Sequence, residues 1–431
     1  MVGRTAIAGA VPKTSVQVLV LGDIGRSPRM QYHAISIAKS GGRVDLIGYR
    51  ESEIHPDLLS NPLVSIIPIP TPSQLLQTNN RWLFLLCAPL KVLWQIWSLC
   101  AILGYRTKPA RWLLVQNPPS IPTLAVACVV CFLRDTHLLI DWHNFGWSIL
   151  ALKLGRTHPL VNVAKRYEFY FGRFATANFT VTNAMARVLK ESHKIRSPIF
   201  PLHDRPPKEF QPLALNRRID FLSKLPITAP WASALAQGTT RLLVSSTSWT
   251  PDEDFSLLLD ALVRYSTIAT ERQQSLPTIL AVITGKGPQK EYYVSRISSL
   301  AKEQRLEKVT VITTWLSNAD YAALLGSADL GVSLHKSSSG LDLPMKVVDM
   351  FGAGLPVVGW NGFEAWKELV KEGVNGTGFV KAEELGETLT RLFGDGEKQL
   401  EILRRGAKKE GETRWDDEWY PVAGRVFGLK D

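Results

Sequence analysis

The chain has 431 residues, 45% of them hydrophobic and 21% charged, and its 50 Lys and Arg against 39 Asp and Glu give a formal net charge of +11. At roughly 100–200 residues per domain this length predicts two or three domains, and 31 Gly and 26 Pro scattered among plentiful aromatic and β-branched residues exclude collagen, long coiled coil and wholesale disorder. The charge suggests a polyanionic, membrane or phosphate partner, and it is unevenly placed: residues 1–205 hold 23 basic and 10 acidic side chains, a net +13, whereas residues 206–431 hold 27 and 29, a net −2.

Residues 1–15 contain no apolar run long enough for a signal peptide, so the protein is expected to stay on the cytosolic side of any membrane it touches. A β-branched strand at 16–21 ends in Gly22-Asp23-Ile24-Gly25, followed by a helical pattern at 28–40 and a strand at 44–49. Strand, glycine turn, helix, strand is the opening of a doubly wound α/β unit. Further strands read at 64–69, 112–115, 138–140, 179–182 and 199–202, with helices at 159–174 and 183–193.

Residues 58–134 lack Asp and Glu altogether but carry Arg81, Lys91, Arg106, Lys108, Arg111 and Arg134. Within them, 82–104 has Lys91 as its one charge and includes Trp82, Phe84, Trp94 and Trp97, while 121–133 has no charge. A spanning helix needs about 20 apolar residues; the first stretch reaches that length but is interrupted by Pro89 and Lys91, and the second is too short. A helix lying in the membrane interface, indoles down and cations toward lipid phosphates, explains length, tryptophans and charge together. For 121–133 a buried helix fits equally well. The spacing of Cys128 and Cys131 lacks a second ligand pair and has apolar flanks, so it reads as two small buried helix residues rather than a redox or metal site. A nucleic-acid binder is disfavoured, because the cations interrupt apolar helices instead of tracking a groove.

Residues 205–240 are rich in proline and small residues and read as a partly flexible linker. A second α/β run follows, with strands at 242–245, 278–284, 309–312, 330–333 and 356–358 alternating with helices at 251–265, 289–303, 318–326, 343–351 and 363–372. The expectation is α/β with two doubly wound domains, whose functional residues lie on loops after strands.

Several strand ends carry chemistry. Thr284-Gly285-Lys286-Gly287-Pro288 opens a helix, where glycines let backbone approach a ligand and Lys286 suits a phosphate. Ser246, Thr247 and Ser248 lie at another strand end; Asp252 and Asp254 beyond them read as first-turn helix capping rather than a metal pair. The densest cluster is His335-Lys336-Ser337-Ser338-Ser339-Gly340-Leu341-Asp342, leading to a helix with Lys346 and Asp349. Hydroxyls, glycine and backbone N–H groups before a helix suit a diphosphate, and Asp349 is placed to accept hydrogen bonds from two adjacent ribose hydroxyls. In the first half, Asp23, Arg26 and Arg29 follow the first strand, and Asp141 and His143 follow the strand ending at Ile140, which is where a base would be needed.

At these residues the chain resembles the GT-B glycosyltransferases, whose nucleotide-sugar landmarks match Gly285-Lys286-Gly287-Pro288, Pro344-Met345-Lys346-Val347-Val348-Asp349 and Gly354-Leu355-Pro356-Val357-Val358. More narrowly it is similar to the β-mannosyltransferases that add the first mannose to the dolichol-linked core of N-glycans, through runs at 21–33, 116–120, 140–144, 181–185, 204–206, 245–255, 283–288, 327–334 and 337–351. The resemblance implies a GT-B fold: an acceptor- and membrane-binding Rossmann-like domain at 1–204, a nucleotide-sugar-binding one at 241–431 facing it across a cleft, and a last helix able to cross back. It implies GDP-mannose as donor, dolichyl-diphosphate chitobiose as acceptor, a β-1,4 linkage, the cytosolic face of the endoplasmic reticulum membrane, and other mannosyltransferases of the dolichol pathway as partners. No permanently bound cofactor and no metal site are expected, though divalent ions could stimulate turnover.

Transfer from an α-linked donor to a β-mannoside is an inverting single displacement. Ser246–Ser248, Gly285, Lys286, Gly287, His335, Ser337–Leu341 and Lys346 are the leaving-group candidates, and Asp349 the ribose ligand. Asp23 is the first choice for base, since inverting enzymes of this fold usually place it after the first strand, and His143 is close behind. The competing reading of Asp23 is structural, bonding the turn backbone at Gly25. Asp141, Arg26 and Arg29 are expected to orient the acceptor or hold its diphosphate. Two departures stand out: the family typically opens with a membrane helix that is not found here, and of the two Glu eight positions apart in retaining relatives only the second place is acidic, as Asp349, so no nucleophile is carried over. The alternatives are a retaining GDP-mannose α-mannosyltransferase and a non-catalytic membrane-bound scaffold.

Overall fold

The computed structural model describes residues 12–71, 81–271 and 276–429. It divides into two compact units, Met1–His203 with Asp416–Asp431, and Asp204–Trp415. Unit 1 runs through β1 (Ser15–Asp23), α1 (Pro28–Lys39), β2 (Arg43–Tyr49), α2 (Pro56–Ser60), β3 (Val64–Pro68), α3 (Arg81–Ala101), β4 (Trp112–Asn117), α4 (Thr123–Arg134), β5 (His137–Trp142), α5 (Gly146–Leu154), α6 (Pro159–Gly172), β6 (Ala177–Thr180), α7 (Asn183–Glu191) and β7 (Ile199–Pro201). Its strands form one sheet in the order β3-β2-β1-β4-β5-β6-β7, with every neighbouring pair parallel. A parallel sheet is covered on both faces, which is why Val16, Val18, Leu19 and Val20 of the central strand are all buried.

Unit 2 runs through α8 (Leu215–Lys224), α9 (Ala232–Gln237), β8 (Thr240–Ser246), α10 (Phe255–Glu271), β9 (Thr278–Thr284), α11 (Lys290–Lys302), β10 (Val309–Thr314), α12 (Asn318–Ser327), β11 (Leu330–Ser333), α13 (Met345–Gly352), β12 (Val357–Trp360), α14 (Trp366–Leu369), β13 (Gly376–Phe379), α15 (Ala382–Phe393) and α16 (Glu397–Glu412). Its sheet, also wholly parallel, has the order β10-β9-β8-β11-β12-β13. Strand order reverses between β1 and β4 in unit 1 and between β8 and β11 in unit 2. The crevice beyond the carboxyl ends at such a reversal is where open α/β sheets take ligands.

After α17 (Trp415–Trp419), α18 (Arg425–Phe427) ends the described chain. From Asp416 onward the chain belongs to unit 1, where the Phe427 ring packs edge-on against Trp112 at 5.8 Å and Phe179 at 6.2 Å. Counted on these units, unit 1 has 24 Lys and Arg against 13 Asp and Glu, and unit 2 has 26 of each. The whole excess of positive charge therefore lies in unit 1.

Residues 205–240, expected as a partly flexible linker, carry α8 and α9. Leu222 and Leu235 are buried in the unit 2 core, and the prolines are packing elements: a Cβ on Gly352 would fall 2.4 Å from Pro206 Cβ. Among the described residues no helix is long and apolar enough to cross a membrane. The side chains of Trp82 and Phe84, which support the interfacial reading of 82–104, lie outside the described ones. Of the rest, α3 exposes Leu93 and Trp97, the latter by 71%, and buries Leu99. In α4, Leu124, Ala127 and Cys131 are buried while Val129, Phe132 and Leu133 are exposed. α4 thus turns one apolar stripe to β4 and β5 and a second to the outside, while α3 packs on α4 and leaves part of its apolar surface exposed. Burial pushes the Cys128 thiol up to about 11 and that of Cys131 to about 12, consistent with inert helix residues.

Candidate active site

In unit 1 the polar centre lies at the end of β5. Asp141 is fully buried and takes a bidentate pair from Arg29, Nε at 2.8 Å and Nη2 at 3.0 Å. His143 Nε2 is 2.9 Å from Asp141 Oδ2, and His33 Nε2 is 3.2 Å from the same atom. Burial alone would raise the Asp141 pKa, but the Arg29 charge and the two imidazoles outweigh it and hold the carboxyl well below its ordinary range. Trp419 Nε1 donates to His33 Nδ1 at 2.9 Å, so the His33 proton sits on Nε2, and burial keeps that ring neutral. An ionised carboxylate only accepts, so His143 also donates from Nε2. In the neutral imidazole that leaves Nδ1 with the lone pair, on a partly exposed ring.

Asp23 is differently employed. Its Oδ1 accepts from the backbone N–H groups of Gly25 at 3.3 Å, Glu51 at 3.1 Å and Ser52 at 3.2 Å, tying the turn after β1 to the loop after β2. Against the upward push of partial burial, the Ser52 hydroxyl and then these backbone bonds lower its pKa. The turn-bonding role at Gly25 is therefore present on Oδ1, while Oδ2 accepts no hydrogen bond among the described residues; the lowered pKa makes this carboxylate a weaker base than an ordinary one. Arg29 is also placed otherwise than expected for a diphosphate ligand: it is 3% exposed and paired to Asp141, because an unpaired carboxylate at that depth would be prohibitive. Arg26 is exposed, with Nε 3.6 Å from Asp23 Oδ2.

In unit 2 a cavity of about 420 Å³ opens at the β8/β11 reversal, lined by Ser246, Thr247, Ser248, Gly285, Lys286, Lys346 and Asp349 among others. Gly285, with φ +142°, and Gly287 lie so close to the β8 loop that an added Cβ would fall 1.7 Å from Thr247 O and 1.7 Å from Ser248 O. The glycines serve the abutment of two loops rather than approach to a ligand alone. Lys286 Nζ lies 4.4 Å above the Trp315 ring. Asp349 has its pKa pushed up to about 8 by burial and by the nearby Asp204 carboxylate.

Glu253 organises this cavity from beneath. It is 4% exposed and accepts from Thr247 Oγ1 at 2.9 Å, Ser248 N at 2.5 Å, Ser248 Oγ at 2.8 Å and the Lys346 ammonium. Burial raises its pKa, and Lys346 with the Ser248 donors more than reverses that. Asp254 caps α10 through Ser256 N at 3.2 Å and also pairs with Lys336 at 3.2 Å.

Residues 239–395 match the family described as "Glycosyl transferases group 1". Over 88% of this chain and 85% of the relative, the sequence is 55% identical to the chitobiosyldiphosphodolichol beta-mannosyltransferase of Arthroderma benhamiae. The human protein of the same name is 41% identical over 94% of this chain and 90% of its own length. The chain belongs to the chitobiosyldiphosphodolichol β-mannosyltransferase family. The fold is GT-B: the sucrose-phosphate synthase structure from Thermosynechococcus elongatus superposes with a TM-score of 0.66 at 13% identity, covering 96% of this chain and 97% of that one.

In this β-mannosyltransferase family member, a glycosyltransferase, the cavity lining includes the expected Ser246–Ser248, Gly285, Lys286, Lys346 and Asp349. Gly287 is in the loop abutment described above and outside that lining. The 335–341 loop is likewise outside it, held by a residue to which no site role was attached. Asp342 takes His335 Nε2 at 2.9 Å, the Ser337 hydroxyl and Ser339 Oγ at 3.3 Å, while Ser337 Oγ accepts from Gly340 N at 2.7 Å. Two of the three hydroxyls expected to meet a diphosphate are therefore engaged in shaping their own loop. Thr284, Trp315, Leu316, Asn318 and Tyr321 line the cavity as well. Trp315 and Leu316 follow β10, so the strand-end rule that found the other loops would also have found them. Glu253 carried no such signal, being hidden among acids that read as capping.

Proposed function

We propose that the protein transfers mannose from GDP-mannose to dolichyl-diphosphate chitobiose with inversion, forming a β-1,4 linkage. The observation that carries the mechanism is the Asp141–His143 pair, with a carboxylate that fixes the His143 proton on Nε2 and leaves Nδ1 as base. The acceptor and the transferred mannose follow from the names of the relatives, and GDP as the nucleotide of the donor from the resemblance of the strand-end loops to nucleotide-sugar landmarks. The acceptor 4-hydroxyl oxygen attacks C1 of mannose, its proton passes to His143 Nδ1, and the C1–oxygen bond to the diphosphate breaks with the electron pair leaving on GDP. Lys346 and Lys286 neutralise the departing diphosphate, and backbone N–H groups of the abutting loops assist. Asp349 meets the ribose, and with a pKa of about 8 it can donate one hydrogen bond and accept another. Asp23 keeps the loop after β1 in place and does not take the proton.

The acceptor puts the enzyme at the cytosolic face of the endoplasmic reticulum membrane, with the positive charge of unit 1 toward anionic lipid phosphates. The test is purified protein with GDP-mannose and a short-lipid diphosphate chitobiose. A product cleaved by β-mannosidase supports the reading, and an α-linked product makes the enzyme a retaining one. Use of UDP-sugars in place of GDP-mannose overturns the donor. His143→Ala with near wild-type turnover removes His143 as base.

A further inference from the structure

One helix of unit 1 is built inside out. α5 reads Gly-Trp-Ser-Ile-Leu-Ala-Leu-Lys-Leu, yet Ser148 is the residue it buries, while Ile149, Leu152 and Leu154 stand exposed. The Ser148 hydroxyl lies 2.8 Å from Phe145 O. Glu168 of α6, fully buried, accepts from Gly146 N at 3.0 Å and Trp147 N at 3.3 Å, capping the helix from within; burial pushes this carboxyl up to about 7 despite those bonds and one from Asn117. Polar anchors and Trp147, stacked on Phe145 at 6.1 Å, hold the inner side of α5, while Ile149, Leu152 and Leu154 stay outside the core. Water is a poor surrounding for such a face, since each exposed apolar side chain forgoes its burial free energy.

Beside α5 lies an open groove of about 420 Å³, bounded by Pro119, Ile121, Ile149, Leu150 and Ala164, with Lys153 at its rim. Pro118 and Gly146 also line it. They follow the ends of β4 and β5, where Asn117 and Trp142 are register partners and His143 comes next. The groove therefore begins at the strand ends that carry the proposed base. Leu160 and Val163 of α6, which packs on α5, extend the exposed apolar surface. Residues 142–167 contain Lys153, Arg156, Lys165 and Arg166 and no Asp or Glu. The Glu168 carboxyl lies buried behind Gly146, so the charges standing exposed around the trough are cations, and an apolar trough with exposed cations beside it is complementary to a hydrocarbon chain ending in an anion.

We propose that this groove seats the first isoprenyl units of the lipid acceptor, with Lys153 meeting its diphosphate. The proposal rests on dolichyl-diphosphate chitobiose being the acceptor, and its experiment separates the two. Purified enzyme in detergent micelles is given GDP-mannose and chitobiose diphosphate carried on either a phytanyl chain or a short linear alkyl chain. Ile149→Trp fills the groove and Ile121→Glu charges it, both at exposed positions that spare the fold. Each is expected to raise KM for the phytanyl acceptor about tenfold while KM for the short acceptor and for GDP-mannose stays within about twofold. Equal losses on both acceptors, or no loss on the phytanyl one, overturn the groove assignment and leave the acceptor reading standing. Vesicle binding that falls in both variants while the phytanyl preference persists assigns the groove to bilayer lipid and also overturns it. Wild-type enzyme inactive on both acceptors overturns the underlying reading instead.

Discussion

His143 Nε2 and Asp141 Oδ2 are 2.9 Å apart at the end of β5, and Arg29 grips both oxygens of the same carboxylate. The pair separates two kinds of damage. His143→Ala removes a partly exposed ring, so kcat should fall roughly 10²–10⁴-fold with little change in Tm or in KM for the donor. Asp141→Asn instead leaves the Arg29 guanidinium buried without its counter-charge, a loss of about 3–5 kcal/mol that should appear as a lowered Tm alongside the activity loss. Asp23→Ala should lower Tm through the three released backbone donors and retain most of kcat. Steady-state kinetics with thermal denaturation of all three variants distinguishes these outcomes.

Asp349 sets a pH dependence of opposite sign to that of an ordinary paired carboxylate. Its folded pKa of about 8 lies above the ordinary 3.8 of an aspartate, so between those values the folded protein keeps a proton that the unfolded chain releases. The associated stability is fully present below the unfolded value and is lost as pH rises through about 8. Asp349→Asn cannot lose that proton. Its Tm relative to wild type should therefore rise from pH 4 to about pH 8 and level off above that. Asp349→Ala, which deletes the ribose contact, should raise KM for GDP-mannose by roughly tenfold or more.

Lys346 is expected to act on the nucleotide diphosphate, and Glu253 to set where it stands. Because Glu253 is buried under the β8 loop, Lys346→Met strands a carboxylate and Glu253→Gln strands an ammonium, and each should cost stability as well as raise KM for the donor. In the double variant neither charge is stranded. The stability losses should then be sub-additive by about 0.5–3 kcal/mol in a denaturant-based double-mutant cycle. Additive losses would mean that Glu253 acts only on Thr247 and Ser248.

The alternation of strands and helices was readable because parallel sheets buried on both faces leave continuous apolar runs, and twelve of the thirteen strands among the described residues lie where those runs are. The exception, β13, reads Gly-Thr-Gly-Phe, and its glycines are there for fit: a Cβ on Gly376 would fall 2.5 Å from Val357 O of the neighbouring strand. α5 was missed for the opposite reason, since a helix apolar on its outer side shows no polar face to set a period. The strand-end loops of the cavity were legible from their glycines, lysines and hydroxyls. Which carboxylate would be engaged by backbone was not, because Asp23 and Asp141 look alike in sequence. Their roles depend on Glu51, Ser52 and Arg29, brought to them by the sheet.

Two glycines with positive φ near the candidate site should respond very differently to a methyl group. At Gly340, φ is +78° and an added Cβ meets nothing within 4 Å. Gly340→Ala therefore adds only backbone strain, about 1–2 kcal/mol, and donor KM should change by less than a few-fold. At Gly285, φ is +142° and the added Cβ would lie 1.7 Å from Thr247 O, a backbone atom that no rotamer change can move. Relief requires the loops after β8 and β9 to part, which takes Thr247 and Ser248 away from Glu253 and moves Lys286 on the cavity wall. Gly285→Ala should thus abolish saturable GDP binding by calorimetry while far-UV circular dichroism stays close to wild type. Binding retained within about threefold would show that the loops can separate without cost to the donor site, a change of less than about 0.7 kcal/mol.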